Sequence, residues 1–404
     1  MSSARPGRLI DNVRAMPREV WIILLGTFIN RFGSFVMPFL AIYLTRQGFA
    51  VTQAGIAISA YGAGHLSASM LGGYLADRIG RRHTIALSMF GSAVAMLALS
   101  QARTFPLIVL FTALTGVATE LYRPAAGALI GDLVPPERRV TAFALYRLAV
   151  NLGFAAGPAT AGFLASRSFL YLFVGDAITS VAYGAIALAF LPHGVRSAAH
   201  EEKKHEGAIT VALRDRAFVL FLLATTCSMW IDYQLHTVLP VYVVSLGFSP
   251  RTYGFLLSLN GVMIVLFELA ITGWTQRFPP TRMIAIGYGL SAIGVSLTGL
   301  AHTVPALAMT VVLWTTGEMI HASVAGAYVT NLAPERFRGR YHGMWVFTWS
   351  IAMLAGPSLG TWIYSRNPDA LWITCAIVGI AAATLPLIPV RPLSNLGNDP
   401  RPAA

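Results

Sequence analysis

The sequence predicts an all-α membrane protein with about twelve transmembrane helices. Of its 404 residues, 55% are hydrophobic and only 11% are charged, and its mean hydropathy is +0.63. A soluble domain carries about 25% charged residues, so a soluble fold is excluded. Apolar runs recur along the whole chain, and each is close to the ~20 residues that cross a bilayer.

Twelve apolar runs are predicted as spanning helices, six on each side of a polar interval. The first six are Trp21–Leu44, Val51–Ala76, Thr84–Ser100, Pro106–Leu133, Thr141–Ala165 and Phe169–Leu191. The second six are Phe218–Leu246, Tyr253–Trp274, Met283–Ala301, Pro305–Leu332, Tyr341–Tyr364 and Ala370–Ile388. We therefore predict a six-helix bundle in residues 1–191, a solvated linker in 192–216, and a second bundle with a short tail in 217–404.

The arginines alternate between clustered and isolated from one loop to the next. The positive-inside rule places the clustered side and both termini in the cytoplasm, which predicts a multi-pass protein of a bacterial inner membrane. The net charge of +12 comes from these loops rather than from one patch, so nucleic acid is not a predicted partner. The clusters are Arg78, Arg81 and Arg82; Arg138 and Arg139; Arg277 and Arg282; and Arg336, Arg338 and Arg340.

The two halves repeat at a constant offset. Gly356-Pro357 follows Gly157-Pro158 by 199 residues, and Gly247-Phe248 follows Gly48-Phe49 by the same 199 residues. Because each half has an even number of spans, the repeats are parallel.

The link between the second and third predicted spans carries a cluster of charges. It contains Gly73, Asp77, Arg78, Gly80, Arg81 and Arg82 in the pattern Gly-x-x-x-Asp-Arg-x-Gly-Arg-Arg. This pattern resembles the signature loop between helices 2 and 3 of the major facilitator superfamily of transporters. With the parallel repeats, the resemblance covers nearly the whole chain. It implies two bundles that rock around a central site in alternating access, with these residues as a conformational switch. The alternative is an ordinary arginine-rich anchoring loop.

The fifth predicted span contains Arg147, Asn151, Gly153, Gly157-Pro158 and Gly162, at spacings of 4, 2, 4 and 5 residues. The pattern resembles the Gly-Pro-rich motif of the twelve-helix drug–proton antiporters, where it is associated with export. Gly157, Pro158 and Gly162 are expected to let the helix bend and pack closely, together with Gly356 and Pro357 in the eleventh span. The partial copy in the eleventh span favours packing.

The fourth span departs from the family pattern, because the expected arginine is absent from Thr112–Gly116. Glu120 and Arg123 follow instead and share one helix face with Gly116.

Charged side chains inside a membrane cost a few kcal/mol each and are functional candidates by default. Those of the first half are mainly basic and those of the second mainly acidic. The predicted substrate-binding set is Asn30, Arg31, His65, Glu120, Arg123, Arg147, Asn151, Asp232, Tyr233, His236, Asn260, Glu268, Glu318 and His321.

Proton coupling is predicted at Asp232, Glu318 or Glu120. Glu120 stays ionised among arginines, so we expect it to hold them or to bind substrate. Asp232 and Glu318 have no arginine nearby in their own helices and are expected to carry the proton. Asp176 lies in the sixth span, a supporting helix by the resemblance, and is assigned no such role.

No enzyme activity, cofactor or metal is predicted. The sequence has neither a Gly-x-x-x-x-Gly-Lys-Ser/Thr nucleotide loop nor His-Glu-x-x-His or Gly-x-Ser-x-Gly strings. Its two cysteines, Cys227 and Cys375, lie in apolar segments and indicate no disulfide framework.

The predicted function is proton-driven export of an amphipathic small molecule by a monomeric secondary transporter, with protons and membrane lipids as its other partners. The alternative is proton-coupled uptake of a zwitterion such as a peptide. Asn30-Arg31-Phe32 resembles the Glu-Arg-Phe motif of peptide–proton symporters, with Thr27 and Asn30 in place of the glutamates. A lipid transporter of the same fold and a membrane receptor are further alternatives.

The topology can be tested at Ser197, in the predicted linker. A Ser197→Cys variant should be inaccessible to a membrane-impermeant maleimide in intact cells and should react after the membrane is opened, because the loop arginines place this segment inside. Labelling of intact cells would contradict the predicted orientation.

Overall fold

The computed structural model describes residues 11–193, 208–334 and 337–390, and within these ranges every regular element is helical. The predicted linker therefore lies largely outside the described residues, as do Arg336 and both chain ends.

Fifteen α-helices of seven or more residues make up the described chain. The first eight are α1 Arg18–Phe32, α2 Val36–Arg46, α3 Val51–Arg78, α4 Arg81–Gln101, α5 Phe105–Glu120, α6 Tyr122–Leu133, α7 Pro136–Arg167 and α8 Leu170–Phe190. The other seven are α9 Ala208–Arg214, α10 Arg216–Ser245, α11 Pro250–Thr275, α12 Pro280–Leu297, α13 Val304–Leu332, α14 Arg338–Arg366 and α15 Pro368–Thr384.

The predicted fold class is confirmed. Ten helical segments of the described chain are long and apolar enough to cross a membrane, with α1–α2 and α5–α6 each counted as one segment. Two further helices have spanning length, α3 with 28 residues and α13 with 29. The short α9 precedes the seventh span.

Two predicted spans are not continuous helices. The first is interrupted between Phe32 and Val36, and the fourth is interrupted at Leu121. Each break lies close before a proline, Pro38 or Pro124. A proline cannot donate a hydrogen bond to the carbonyl four residues earlier, and its ring clashes with that carbonyl. The apolar patterns of both spans run through the breaks, so hydropathy alone does not show them.

The described chain divides into two compact units. The first comprises residues 1–201 and 247–265, and the second comprises 202–246 and 266–404. The first half of α11 belongs to the first unit because it packs on α7. There a Cβ on Gly261 would lie 2.5 Å from the Cα of Ala155, and the Ala159 amide donates to Ser258 Oγ at 2.9 Å. The bundle limits at residues 191 and 217 stay a prediction.

The core of the first unit lies where α1, α4, α6 and α8 meet. Ile23, Met89, Tyr122 and Tyr183 are fully buried there, and the Tyr122 and Tyr183 rings meet edge to face at 5.8 Å. This core fixes the orientation of the helices that carry Arg31, Ser88, Arg123 and Asp176.

Candidate functional site

Glu120 is the last residue of α5 and lies directly before the break in the fourth span. It is only 5% exposed. Pro124 cannot donate to the Glu120 carbonyl, so the helix does not continue regularly past this point. The break turns the start of α6 and sets the Glu120 carboxylate among side chains from three other helices.

Ser88 of α4 occupies the position of a missing backbone hydrogen bond at this break. In a regular helix the Tyr122 amide would donate to the Ala118 carbonyl. Here the Tyr122 amide donates to Ser88 Oγ at 3.1 Å, and the same hydroxyl donates to the Ala118 carbonyl. One serine side chain thus satisfies both backbone groups in a setting where an unsatisfied group is expensive.

Three basic side chains surround the Glu120 carboxylate. Arg31 Nη2 of α1 lies 3.3 Å from Oε1, while Arg123 Nη1 of α6 and His65 Nε2 of α3 lie 3.1 Å and 3.5 Å from Oε2. The opposite charges favour the ionised carboxylate. Even with a neutral histidine, two guanidinium groups face one carboxylate, so the cluster carries net positive charge.

Several polar atoms in or beside the Glu120 cluster, which comprises Glu120, Arg31, His65 and Arg123, have no hydrogen-bond partner within the described chain. They are Arg31 Nε, His65 Nδ1 and the Tyr122 hydroxyl, and all three are buried. The Arg31 guanidinium also lies 5.7 Å from the centre of the Tyr122 ring. The Arg123 side chain is 48% exposed, so one side of the cluster is accessible. The cluster therefore offers donors and positive charge to the polar end of a solute.

The Gly-Pro-rich motif of α7 positions Arg31. A Cβ on Gly153 would lie 2.7 Å from the Arg31 Cβ, and one on Gly157 would lie 2.7 Å from the Phe32 carbonyl oxygen. These glycines bring α7 against α1 just before the break in the first span. Gly162, five residues further along α7, packs on α11 with its added Cβ 3.2 Å from the Gly254 Cα.

The related positions of α14 also make a close contact. A Cβ on Gly356 would lie 3.2 Å from the Tyr233 Cβ, and the Gly356 carbonyl accepts from Gln234 Nε2 at 3.3 Å. Both copies of the motif thus make close helix contacts, as the packing interpretation expects. Both helices are assigned as continuous through Pro158 and Pro357, and a bending role for these residues remains a prediction.

The predicted switch loop is built around Arg81. Its side chain is buried, with Nε 3.0 Å from Asp132 Oδ2 of α6 and Nη1 3.5 Å from Asp77 Oδ1. Gly80 has φ +93°, and its added Cβ would lie 3.1 Å from the His193 carbonyl oxygen. Residues that carry a side chain rarely adopt such a positive φ. The loop is thereby held to α6 and to the end of α8.

Of the other two arginines of the loop, Arg78 is exposed and Arg82 is half-buried. Arg78 Nη1 donates to the Tyr74 hydroxyl at 2.8 Å, and Arg82 Nη2 lies 2.7 Å from His193 Nε2. Gly73 has open space around its Cβ position.

The remaining candidates of the first unit are more scattered. Asn30 is buried and donates through Nδ2 to Met89 Sδ at 3.4 Å, one residue before Arg31. Arg147 is exposed, whereas Asn151 and Asn260 are half-buried.

In the second unit, His321 is buried with its ring 4.7 Å from the Tyr288 ring. Asp232 has a histidine rather than an arginine as its basic neighbour on the same helix. His236, one turn later on α10, interacts with it electrostatically because residues four apart share a helix face. The half-buried candidates of this unit are Asp232, Tyr233, His236, Glu268 and Glu318.

Sequence reasoning missed two residues that the structure places at the helix breaks. One is Ser88, an ordinary serine in an apolar run. The other is Asp176 of α8, whose Oδ2 accepts from the Val36 amide at the start of α2, at 3.5 Å. Pro38 and Pro124 were available as signals of the two breaks, but nothing local indicates which distant side chain completes each one.

Charged side chains buried among long apolar helices are typical of the substrate and ion pathways of polytopic membrane transporters. The sequence profile of the Major Facilitator Superfamily matches residues 23–250 and 221–404, and the chain belongs to this family.

Its relatives include proteins with and without a described activity. An uncharacterised MFS-type transporter of Bacillus subtilis, YqjV, is 29% identical over 84% of this chain and 85% of its own length. A Na(+), Li(+), K(+)/H(+) antiporter of Planococcus maritimus is 27% identical, covering 84% and 88%. The multidrug resistance protein MdtH of Yersinia enterocolitica is 22% identical, covering 92% and 94%.

Solved structures agree on the fold. A POT family transporter in complex with a thioalcohol-conjugated peptide superposes with a TM-score of 0.75 at 20% identity, covering 93% of this chain and 98% of its own. A D-xylose–proton symporter gives 0.74 at 17%, covering 95% and 98%. At these identities the likeness concerns the fold alone.

Removing the Glu120 charge should destabilise the first unit, because Arg31 would remain buried without its counter-ion. Breaking a buried pair from one side costs about 3–5 kcal/mol. Glu120→Gln should therefore lower the thermal unfolding temperature in detergent strongly, whereas Glu137→Gln, at an exposed carboxylate of α7, should change it little.

A double variant separates charge from packing. Arg31→Met combined with Glu120→Gln should recover part of the lost stability, since no unpaired charge remains between these two positions. Equal unfolding temperatures for Glu120→Gln and Glu137→Gln would show that the cluster does not depend on the Glu120 charge.

Proposed function

We propose that this chain exports amphipathic small molecules in exchange for protons, by alternating access across a bacterial inner membrane. Its membership of a transporter family and its membrane-spanning helices are established above. The direction of transport, the coupling ion, the substrate class and the cytoplasmic location of both termini belong to the proposal. The observation that carries it is the Glu120 cluster, a group of membrane-buried charges kept at the break of a helix.

The cost of burial supports a functional reason for the cluster. A fold that needed only packing could place apolar residues at these positions, and replacing buried ion pairs by apolar groups is often neutral or stabilising. Ionisable groups within spanning segments commonly mark substrate or ion pathways. Arg31, Arg123 and His65 also exceed Glu120 in charge, and two of their nitrogens have no partner in the described chain.

This surplus of donors and positive charge indicates which chemical group the polar end of the substrate carries. A carboxylate, phosphate or strongly polarised carbonyl would bind the guanidinium groups, while Glu120 keeps the arginines in place. Phe32 and Phe35 lie nearby at the first break, with ring centres 5.5 Å apart, and supply an apolar surface beside Arg31. The proposed substrate therefore has an apolar body and an electron-rich or anionic end.

Proton coupling is assigned to the second unit in this proposal. Asp232 and Glu318 are half-buried carboxylates, and proton binding there would exchange with substrate binding at the first unit. The switch loop around Arg81 would then respond to which face is open.

Export is favoured over uptake by two lines of support. The Gly-Pro-rich motif resembles that of drug–proton antiporters, and two of the relatives are described as an antiporter and a multidrug resistance protein. Uptake of a zwitterion remains the second candidate, because a basic first unit and an acidic second unit would suit a solute with both charges.

Proteoliposomes with an imposed pH gradient test the function. Three probes cover the alternatives: carboxyfluorescein as an aromatic anion, ethidium as an aromatic cation, and radiolabelled dialanine as a zwitterion. Movement of carboxyfluorescein against the proton flow is the expected result. Movement of dialanine together with protons would overturn export in favour of the symporter, and no gradient-dependent flux of any probe would contradict proton coupling for these classes.

The coupling residues are tested with the transported probe. Neutralising the responsible carboxylate, by Asp232→Asn or Glu318→Gln, should abolish gradient-driven flux but preserve substrate exchange at equal pH, because only the proton site is lost. Glu120→Gln should impair both modes, since the arginines lose their anchor. If both C-terminal variants keep full gradient-driven flux while Glu120→Gln loses only that mode, the proton site lies at Glu120.

A further inference from the structure

The break in the first span leaves the start of α2 without a cap from its own sequence. The α1 helix ends at Phe32 and α2 begins at Val36, and the N-cap residue Phe35 makes no side-chain cap hydrogen bond. Pro38 prevents the chain from continuing as one helix, because its ring would clash with the Ser34 carbonyl. The first amides of α2 therefore need an acceptor from elsewhere.

Asp176 of α8 provides that acceptor. Its Oδ2 accepts from the Val36 amide at 3.5 Å, and the residue is only 4% exposed. A negative charge is stabilised at a helix N-terminus by the unpaired amides and the helix dipole. A cap supplied from 140 residues away ties the first span to the sixth.

Close contacts of two glycines fix this arrangement. A Cβ on Gly33 would overlap the Thr179 side chain, one turn after Asp176, and a Cβ on Gly175 would lie 3.0 Å from the Phe35 ring. The three residues of the break are thus fitted to the α8 surface around Asp176. A change in the carboxylate would therefore be felt first at the break between α1 and α2.

The charges around Asp176 differ from those around Glu120. In the described chain, no Lys, Arg or His nitrogen lies within 4 Å of its carboxylate. The charged and titratable groups that face it are Arg31 of α1 and Tyr61 of α3, and Arg31 is already paired with Glu120.

The other packed helices add no closer counter-ion, and the titratable groups of α2 itself, Tyr43 and Arg46, lie toward its far end. The charged and titratable groups of α4 are Arg81, Arg82 and His83, all in its first turn. In the middle part of α7 the charged and titratable groups are Tyr146 and Arg147. Tyr146 interacts electrostatically with Arg31, and Arg147 is exposed.

We propose that Asp176 is a proton-binding site whose occupancy sets the hinge between α1 and α2. The ionised carboxylate caps α2 and holds the residues of the break against α8. On protonation the carboxyl group gains one proton and loses its charge, so the charge–dipole interaction with α2 is lost. The stabilisation is therefore present at high pH and disappears as the pH falls through the titration of Asp176.

The hinge is adjacent in the sequence to Arg31 of the Glu120 cluster. Arg31 is two residues before Gly33, and it carries the ion pair to Glu120 at 3.3 Å. A looser α2 start would give Arg31 freedom to leave Glu120 for a substrate anion. This last step, the transfer to transport, rests on the proposed function above, whereas proton binding at the hinge does not.

Hydrogen exchange tests the site without a substrate. The full-length protein in lipid nanodiscs is measured over a pH series, with each rate corrected for the intrinsic pH dependence of amide exchange. In the wild type, peptides covering residues 33–40 should exchange about tenfold faster at low pH, the size expected for loss of a charged cap. Asp176→Asn keeps an acceptor but cannot titrate, so its exchange should be independent of pH.

A control and a second measurement keep the test decisive. Glu137→Gln, at an exposed carboxylate, should behave as the wild type. If Asp176→Asn does not fold, infrared spectra over the same pH series should show a protonated-carboxyl band in the wild type that shifts in Asp176→Glu. A wild type without pH-dependent exchange at 33–40, an Asp176→Asn variant that retains it, or a band unmoved in Asp176→Glu would each overturn the proposal.

The outcomes are separable from those of the proposed function. Failure of all three probes to move in proteoliposomes would contradict export and leave the exchange result to decide the proton site. Conversely, pH-independent exchange in the wild type would remove the Asp176 site while gradient-driven flux still supports export.

Discussion

The architecture depends on one constraint, that backbone polar groups in the bilayer must be satisfied by the protein itself. A proline breaks each of two spans, and each break leaves backbone groups that need partners. Ser88 supplies them in one case and Asp176 in the other. Both come from a neighbouring helix, so each repair also locks two helices together. The breaks are tolerated because they are built into the interior of the first unit, and that interior is where the charged cluster forms.

Small residues determine which charges meet. Arg31, which pairs with Glu120, lies where α1 packs closely on α7, and that approach requires the absence of side chains at Gly153 and Gly157. Packing in membranes generally uses small residues in this way, since no hydrophobic force brings helices together. The glycine motif and the ion cluster are therefore two parts of one arrangement, although they lie on different helices and were found in the sequence as separate features.

Hydropathy, the 199-residue repeat and the loop motif were sufficient to predict the fold class and the family. These signals are sums over many residues and survive local errors. The site was predicted as a set of residue types, and Arg31, His65, Glu120 and Arg123 do come together. Which candidates meet could not be predicted, because these helices are apolar on most faces and the pattern does not show which face turns inward. Arg147 was as good a candidate as Arg31 from the sequence, yet it is exposed.

Asp176 shows the same limit for a residue to which the sequence assigned no role. Its place in a supporting span argued against a role, and only the three-dimensional position of the α1–α2 break gives it one. His236 shows a simpler omission, since its spacing of four residues from Asp232 was visible in the sequence.

The two links between α4 and α6 give the helix pair a mechanical property. The α6 helix is held at its start by Ser88, through the Tyr122 amide, and near its end by Arg81, through Asp132. Its 12 residues span about 18 Å at the rise of an α-helix. Both ends of α6 are therefore attached to α4. Because both attachments run to the same helix, a movement of Asp132 relative to α4 would strain the contact of the Tyr122 amide with Ser88 at the other end of α6.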